Sequence, residues 1–173
     1  MASRAVQGKD NWFSLGGRRI DEDSPRTGLL YLESFDILHI NYTIYGFAAS
    51  DAPVVRFNSD TSLSYSYHAT SYASSVSTAP ATEYYSSSAS VGIVLSGSTS
   101  VARNYGTIHI GCMPTVGHNV MTVQNSSATA NYELLGAGDY MSYDPIISIE
   151  FLGKNGSNLL AGSGFTVFGA NFE

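Results

Sequence analysis

The chain has 173 residues, a formal net charge of -6 and a pI near 5.0, a size that fits one domain able to bury a core without disulfide staples. An acidic balance speaks against a nucleic-acid partner, because phosphate binding needs a clustered basic surface. Charged residues make up only 13%, against about 25% in an average soluble domain, and Ser, Thr, Gly and Tyr take their place, a composition of strands and turns rather than helices.

The opening MASRAVQGKDNWFSLGG holds no apolar run of the length that a signal peptide or membrane span requires. Synthesis and folding in the cytoplasm, with no membrane partner, are expected. The sequons at Asn41, Asn125 and Asn155 then carry no weight, since glycosylation needs a secretory route. Residues 1–28 hold five of the eight basic residues and four acidic ones. Their large apolar groups, Val6, Trp12, Phe13, Leu15 and Ile20, follow no sustained period, so this stretch is expected to be an extended N-terminal arm outside the main domain. Trp12 and Phe13, close to Arg18 and Arg19, are candidate partner-binding residues, because aromatics and Arg are the usual interface anchors. A disordered tail, or a strand closing the sandwich itself, are the competing readings.

From residue 29 to 173 the dominant period is two. FDILHINYTIYGF places Leu38, Ile40, Tyr42 and Ile44 on one face and His39, Asn41, Thr43 and Tyr45 on the other. VVRFN alternates Val55 and Phe57 against Arg56 and Asn58. After a turn at residues 59–62, LSYSYHA puts Leu63, Tyr65 and Tyr67 on one face, and the two segments together read as a hairpin. Residues 70–90, Ser-rich with Pro80 inside, are expected to form a long surface loop or an irregular edge. Further strands are read at VGIVL, YGTIHIGCM, NVMTVQ, YELL, PIISIEFL (Ile147, Ile149, Phe151) and SGFTVFG (Phe165, Val167). Turns are expected at Gly117, Gly136, Gly138 and between Gly153 and Gly156. About ten short strands without a crossover helix predict an all-β, antiparallel, jelly-roll-like β-sandwich.

No pattern of catalytic, cofactor-binding or metal-binding residues emerges. His39, His68, His109 and His118 lack the spacing of a zinc site, and three of them fall on polar strand faces. The serines offer no GxSxG elbow. Asp51, Asn58 and Asp60 are oxygen donors near the first hairpin, but their spacing is that of turn formers rather than a Ca²⁺ loop. Asp139 and Asp144 flank GDYMSYDP, where a turn is the commoner meaning of two aspartates than a glycosidase pair. Cys112 lies in an alternating apolar segment and reads as a buried small hydrophobe. The expectation is a non-enzyme without cofactors.

Two segments carry a resemblance. VVRFNSDTSLSYSYHA, residues 54–69, resembles an RFN-x-D-then-Tyr hairpin of structural proteins of tailed bacteriophages. PIISIEFLGKNGSNLLAGSGFTVFGANFE is similar to their closing strand, turn and GS-x-x-x-(Tyr/Phe)-Gly strand. The corresponding residues are Arg56, Phe57, Asn58, Asp60, Tyr65, Gly162, Ser163, Phe168 and Gly169. The chain departs from that pattern at Ser59, where the hairpin usually has Gly, and at Phe168, where Tyr is usual. The resemblance implies a virion component of the capsid decoration or cement type on the outer head surface. Its partners would be the major capsid protein and, because capsid junctions are often threefold, further copies in a homotrimer. The alternative is a receptor- or carbohydrate-binding module of a tail fibre or spike, with Tyr72, Tyr84, Tyr85, Tyr140 and Tyr143 available to stack on sugar rings.

Overall fold

Alternating apolar and polar side chains become strands along most of the chain. A computed structural model describes residues 12–73, 82–89, 92–95, 103–127 and 132–171. In chain order the strands are β1 (Phe13–Arg19), β2 (Leu30–Tyr31), β3 (Ile37–Ile44), β4 (Pro53–Phe57), β5 (Tyr65–Ala73) and β6 (Thr82–Ala89). They continue with β7 (Ile93–Val94), β8 (Asn104–Met113), β9 (His118–Ser127), β10 (Tyr132–Tyr140), β11 (Ser148–Gly153) and β12 (Gly164–Ala170). An eight-stranded sheet runs β1-β12-β3-β8-β9-β10-β5-β6 and a four-stranded sheet runs β2-β11-β4-β7. Every pairing is antiparallel. The chain changes sheet at most connections, and only β5-β6 and β8-β9-β10 stay within one. The fold is an antiparallel β-sandwich of jelly-roll-like type.

The core lies between the sheets. Leu38, Ile40, Tyr42 and Ile44 of β3 face inward with Ile108 and Ile110 of β8, and they meet Phe57, Ile149 and Phe151 from the four-stranded sheet. Each such side chain contributes about 1.5–3 kcal/mol by leaving water. The same alternation turns His39, Asn41 and Thr43 outward, which places the site described below.

Several expectations need correction. The arm is not separate from the domain over residues 12–28. Phe13–Arg19 pairs with β12, with a bulge between Ser14 and Gly16, and Ile20 joins the core. Thr27 donates its N–H to the Phe151 carbonyl at 2.9 Å, and its Oγ1 accepts from the Phe151 N–H at 3.0 Å. Residues 1–11 lie outside the described residues. The arm lacked a visible period because β1 is an edge strand with a bulge, so its side chains do not alternate cleanly between core and water.

The first hairpin is also different. β4 belongs to the four-stranded sheet and β5 to the eight-stranded one, so the connection crosses the sandwich, and Leu63 is exposed within it. Gly136 and Gly138 are not turns but lie inside β10. A Cβ on Gly136 would come within 2.8 Å of the Ala69 Cβ, and one on Gly138 within 3.0 Å of the Ile93 side chain. They mark close approach, which is the other meaning of glycine in a strand. Ile147 is exposed and Ile146 takes its place in the core. Within residues 70–90, β5 runs on to Ala73 and β6 forms the sheet edge, as the edge reading expected. Residues 74–81 and 90–91 lie outside the described residues. The described strands number twelve rather than ten.

The turn after β4 places Asn58 and Ser59 at φ of 54° and 52°, and the Asp60 N–H closes it onto the Phe57 carbonyl at 2.9 Å. Asn tolerates this left-handed region, whereas Ser adopts it at a cost of about 1 kcal/mol. The Ser59→Gly variant creates an Asn-Gly turn and is expected to gain about 0.5–1 kcal/mol, a rise of about 2 °C in Tm by thermal unfolding. An unchanged or lower Tm would show that the turn is not strained at Ser59.

Candidate functional site

The outward positions of the central strands form one broad face. In register across the sheet, Phe168 of β12 stands beside His39 of β3, then His109 of β8, Thr122 of β9, Ala137 of β10 and His68 of β5. The outward residues of β3, β8 and β9 include no Asp, Glu, Lys or Arg. Val120 and Leu135 are 46% and 49% exposed on this face, where Tyr105 and Met113 are also exposed. Shallow open grooves cross it among the described residues. One of about 340 Å³ is bounded by Arg18, Arg19, Asn41, Thr43 and Tyr45, one of about 360 Å³ by Asn41, Tyr105, Thr107 and Gln124, and one of about 310 Å³ by Thr107, His109, Thr122 and Leu135.

At the centre, His39 Nδ1 lies 3.2 Å from His109 Nδ1, and His39 Nε2 lies 3.1 Å from Asn41 Oδ1. Trp12 approaches His39 edge-on at 6.2 Å, and the Phe168 ring is 6.2 Å away on its other neighbour strand. Burial, and then the neighbouring His39, hold His109 below its ordinary value of 6.5. The folded state thus favours the neutral ring. Above pH 6.5 nothing is lost. As pH falls below 6.5 the unfolded chain takes up the proton first, and stability declines.

The sequence-derived partner residues do not gather in one place. Trp12 joins the histidine pair, while Phe13 turns to Phe35 at a ring distance of 6.5 Å. Arg18 donates from Nε to the Leu29 carbonyl at 3.0 Å, and with Arg19 it borders the first groove.

The residues of the phage-protein resemblance do structural work. Arg56 faces the fully buried Glu150 across β4 and β11, with Nη1 3.7 Å from Oε1, and Arg26 reaches the other carboxylate oxygen at 3.4 Å. Tyr65 bonds through its hydroxyl to both backbone groups of buried Phe57. The Asn58 Oδ1 accepts the N–H groups of Ile147 and Ser148 at 2.9 and 3.1 Å, and its Nδ2 donates to the Pro145 carbonyl. Asp60 accepts from the Ser62 N–H at 2.7 Å. Gly162 sits at φ 91°. The buried Ser163 hydroxyl accepts from the Tyr45 N–H and donates to the Leu160 carbonyl. A Cβ on Gly169 would collide with Phe35 and Leu15.

The oxygen donors weighed for Ca²⁺ are engaged with N–H and O–H groups instead. Asp51 is fully buried among N–H donors, Asn58 is bonded to Pro145, Ile147 and Ser148, and Asp60 closes its own turn onto Ser62. Among the described residues no group of three or more His, Cys, Asp or Glu converges as metal ligands. Asp139 pairs with His118 Nδ1 and accepts the Asn119 N–H at 3.1 Å; it is the penultimate residue of β10, and Asp144 stands in the following loop. Burial, and then Asp36, push the Cys112 thiol up to about 12, which leaves it protonated and unreactive at neutral pH. Of the tyrosines considered for sugar stacking, Tyr140 is buried against Tyr65 at a ring distance of 5.0 Å. Tyr143 is 78% exposed, and the side chains of Tyr72, Tyr84 and Tyr85 lie outside those described.

No protein-family model matches the chain, and no curated protein matches it. Among solved structures it is similar to an Eiger TNF from S. frugiperda, at 10% identity over 91% of this chain and 88% of that one, with a TM-score of 0.26. It is also similar to the metal-free lectin I-B4 from Griffonia simplicifolia, at 10% identity over 95% and 94% of the two chains, with a TM-score of 0.21. A lectin UEA-II complexed with galactose stands at 9% identity, 96% and 95% coverage and a TM-score of 0.23. At these TM-scores the likenesses carry no functional argument.

The close pairing of His39 with His109 was missed in the sequence. Each histidine is visible on an outward strand position, but they are 70 residues apart, and only the β3/β8 register brings them together.

Proposed function

We propose that the chain is a phage virion structural protein of the capsid decoration or cement type, docking on the major capsid protein through the outward face of its eight-stranded sheet. The observation that carries this reading is the uncharged strip across β3, β8 and β9, with exposed Tyr105, Met113, Val120 and Leu135 on or beside it. In a protein of net charge -6, such a strip has the make-up of an interface centre, where charge is depleted and aromatics and Met are enriched. The open grooves suit a protein surface better than an enclosed small molecule. Three copies around a threefold capsid junction would present the strip repeatedly.

Binding to purified capsids that lack the protein tests this. A truncation of residues 1–28 would be uninformative, since it removes β1 and Ile20, so the surface itself is changed instead. The Val120→Asp/Leu135→Asp double variant places two charges on exposed positions and leaves the core intact, so unchanged circular dichroism is expected. Capsid affinity is expected to fall at least about tenfold, the equivalent of 1.4 kcal/mol. Wild-type protein that does not bind capsids would overturn the cement reading, and a double variant that binds equally well would overturn the choice of face.

A further inference from the structure

We propose that His39 and His109 form a cross-strand chelate for one divalent transition-metal ion of borderline character, such as Zn²⁺, Ni²⁺ or Cu²⁺. The two residues are direct partners in the β3/β8 register, so their side chains leave the sheet side by side on the same face. Their Nδ1 atoms are 3.2 Å apart. Two metal–nitrogen bonds of about 2.0–2.1 Å at a tetrahedral angle span about 3.3 Å. The pair is therefore already spaced as a chelate, and little backbone movement is needed to close it on an ion.

The tautomers favour this use. The Asn41 Oδ1 can only accept, so His39 Nε2 carries the proton of the 3.1 Å bond. His39 Nδ1 is then left with a lone pair directed at His109. Without metal, the His109 Nδ1–H donates into that lone pair. On metal binding, the His109 proton leaves Nδ1 and a proton from solvent occupies its Nε2. Both rings remain neutral, and both Nδ1 lone pairs face the ion. Asn41 acts as a positioning residue that holds the His39 ring and its tautomer, the usual partner of a metal-ligating histidine.

The surroundings suit an open site. Trp12 and Phe168 stand against His39, Thr122 follows His109 in register, and none of these is charged. Water completes the coordination on the open side. Imidazole nitrogen selects the middle and late first-row ions over Mg²⁺ or Ca²⁺, with Cu²⁺ bound most tightly. This site is independent of the capsid reading and stands or falls separately.

Trp12 is the only tryptophan, and its ring is next to His39, so its fluorescence reports on the site. Titration of the full chain with Cu²⁺ is expected to give saturable quenching with a stoichiometry of one, and calorimetry with Zn²⁺ the same stoichiometry. His39→Ala and His109→Ala are each expected to abolish saturable binding of both ions, and Asn41→Ala to weaken Zn²⁺ affinity about tenfold. His118→Ala and His68→Ala, on other parts of the sheet, should leave both titrations unchanged. All five positions are on the outward face, and circular dichroism checks that the variants fold. Absence of saturable binding to the wild type would overturn the proposal, as would wild-type binding by His39→Ala or His109→Ala, or loss of binding in His118→Ala or His68→Ala.

Discussion

Replacing Asp51 by alanine is expected to destabilise the protein by about 3–5 kcal/mol, a large part of the 5–15 kcal/mol that holds a typical domain folded. The Asp51 carboxylate is fully buried beside the start of β4. It accepts the Ala52 N–H at 2.8 Å, the Asn155 N–H at 3.0 Å, the Asn155 Nδ2 at 3.0 Å and the Ser157 N–H at 3.0 Å. One anion thus ties the loop between β11 and β12 to the strand entering the four-stranded sheet. Alanine leaves these donors facing a void, and each unsatisfied buried donor costs about 1–3 kcal/mol less whatever water can replace. Asp51→Asn preserves the shape but turns an NH₂ toward N–H groups, so it is expected to recover only part of the loss. The urea midpoint measures the effect, and faster amide exchange at Asn155 and Ser157 would locate it. A shift below about 1 kcal/mol would show that the carboxylate does not anchor the loop.

The second large effect is expected at Tyr65, where Tyr65→Phe should cost about 1.5–3 kcal/mol and Tyr65→Ala about 3–5 kcal/mol or more. The hydroxyl accepts the Phe57 N–H at 3.1 Å and shares its own proton between the carbonyls of Phe57 at 3.0 Å and Asp60 at 3.3 Å. It therefore replaces the ladder partners that the end of β4 lacks on that side. Burial pushes its ionisation well above the ordinary tyrosine value of 10, so the hydroxyl keeps its proton at neutral pH. Phenylalanine keeps the ring against Tyr140 and Phe57 and removes only the bonds. Equal stability of Tyr65→Phe and wild type, by urea unfolding, would mean that packing alone gives Tyr65 its value.

Both residues show how far the chain could be read in advance. Tyr65 was recognisable as part of a recurring segment and as an inward strand position, yet its task was invisible, because the hydroxyl serves a strand in the opposite sheet. Asp51 stood out as an oxygen donor near a turn, and a turn former is close to what it is. Apart from the adjacent Ala52 N–H, its partners Asn155 and Ser157 lie more than one hundred positions away, beyond any local pattern. Glu150 interrupts an apolar segment and became legible only when Arg56 and Arg26 were found beside it.

What the sequence determined by itself is the class of fold and most of the inward faces. Leu38, Ile40, Val55, Phe57, Ile149, Phe151, Phe165 and Val167 are all buried as their alternation requires, because period two is a property of the extended backbone and needs no knowledge of neighbours. The tertiary structure alone decided which strands pair. It made β1 an edge strand instead of an arm, sent β4 and β5 to opposite sheets, and kept β10 continuous through Gly136 and Gly138. The candidate site belongs to that second category: pairing is set by packing between segments far apart in the chain, and the register of β3 on β8 is what sets His39 against His109.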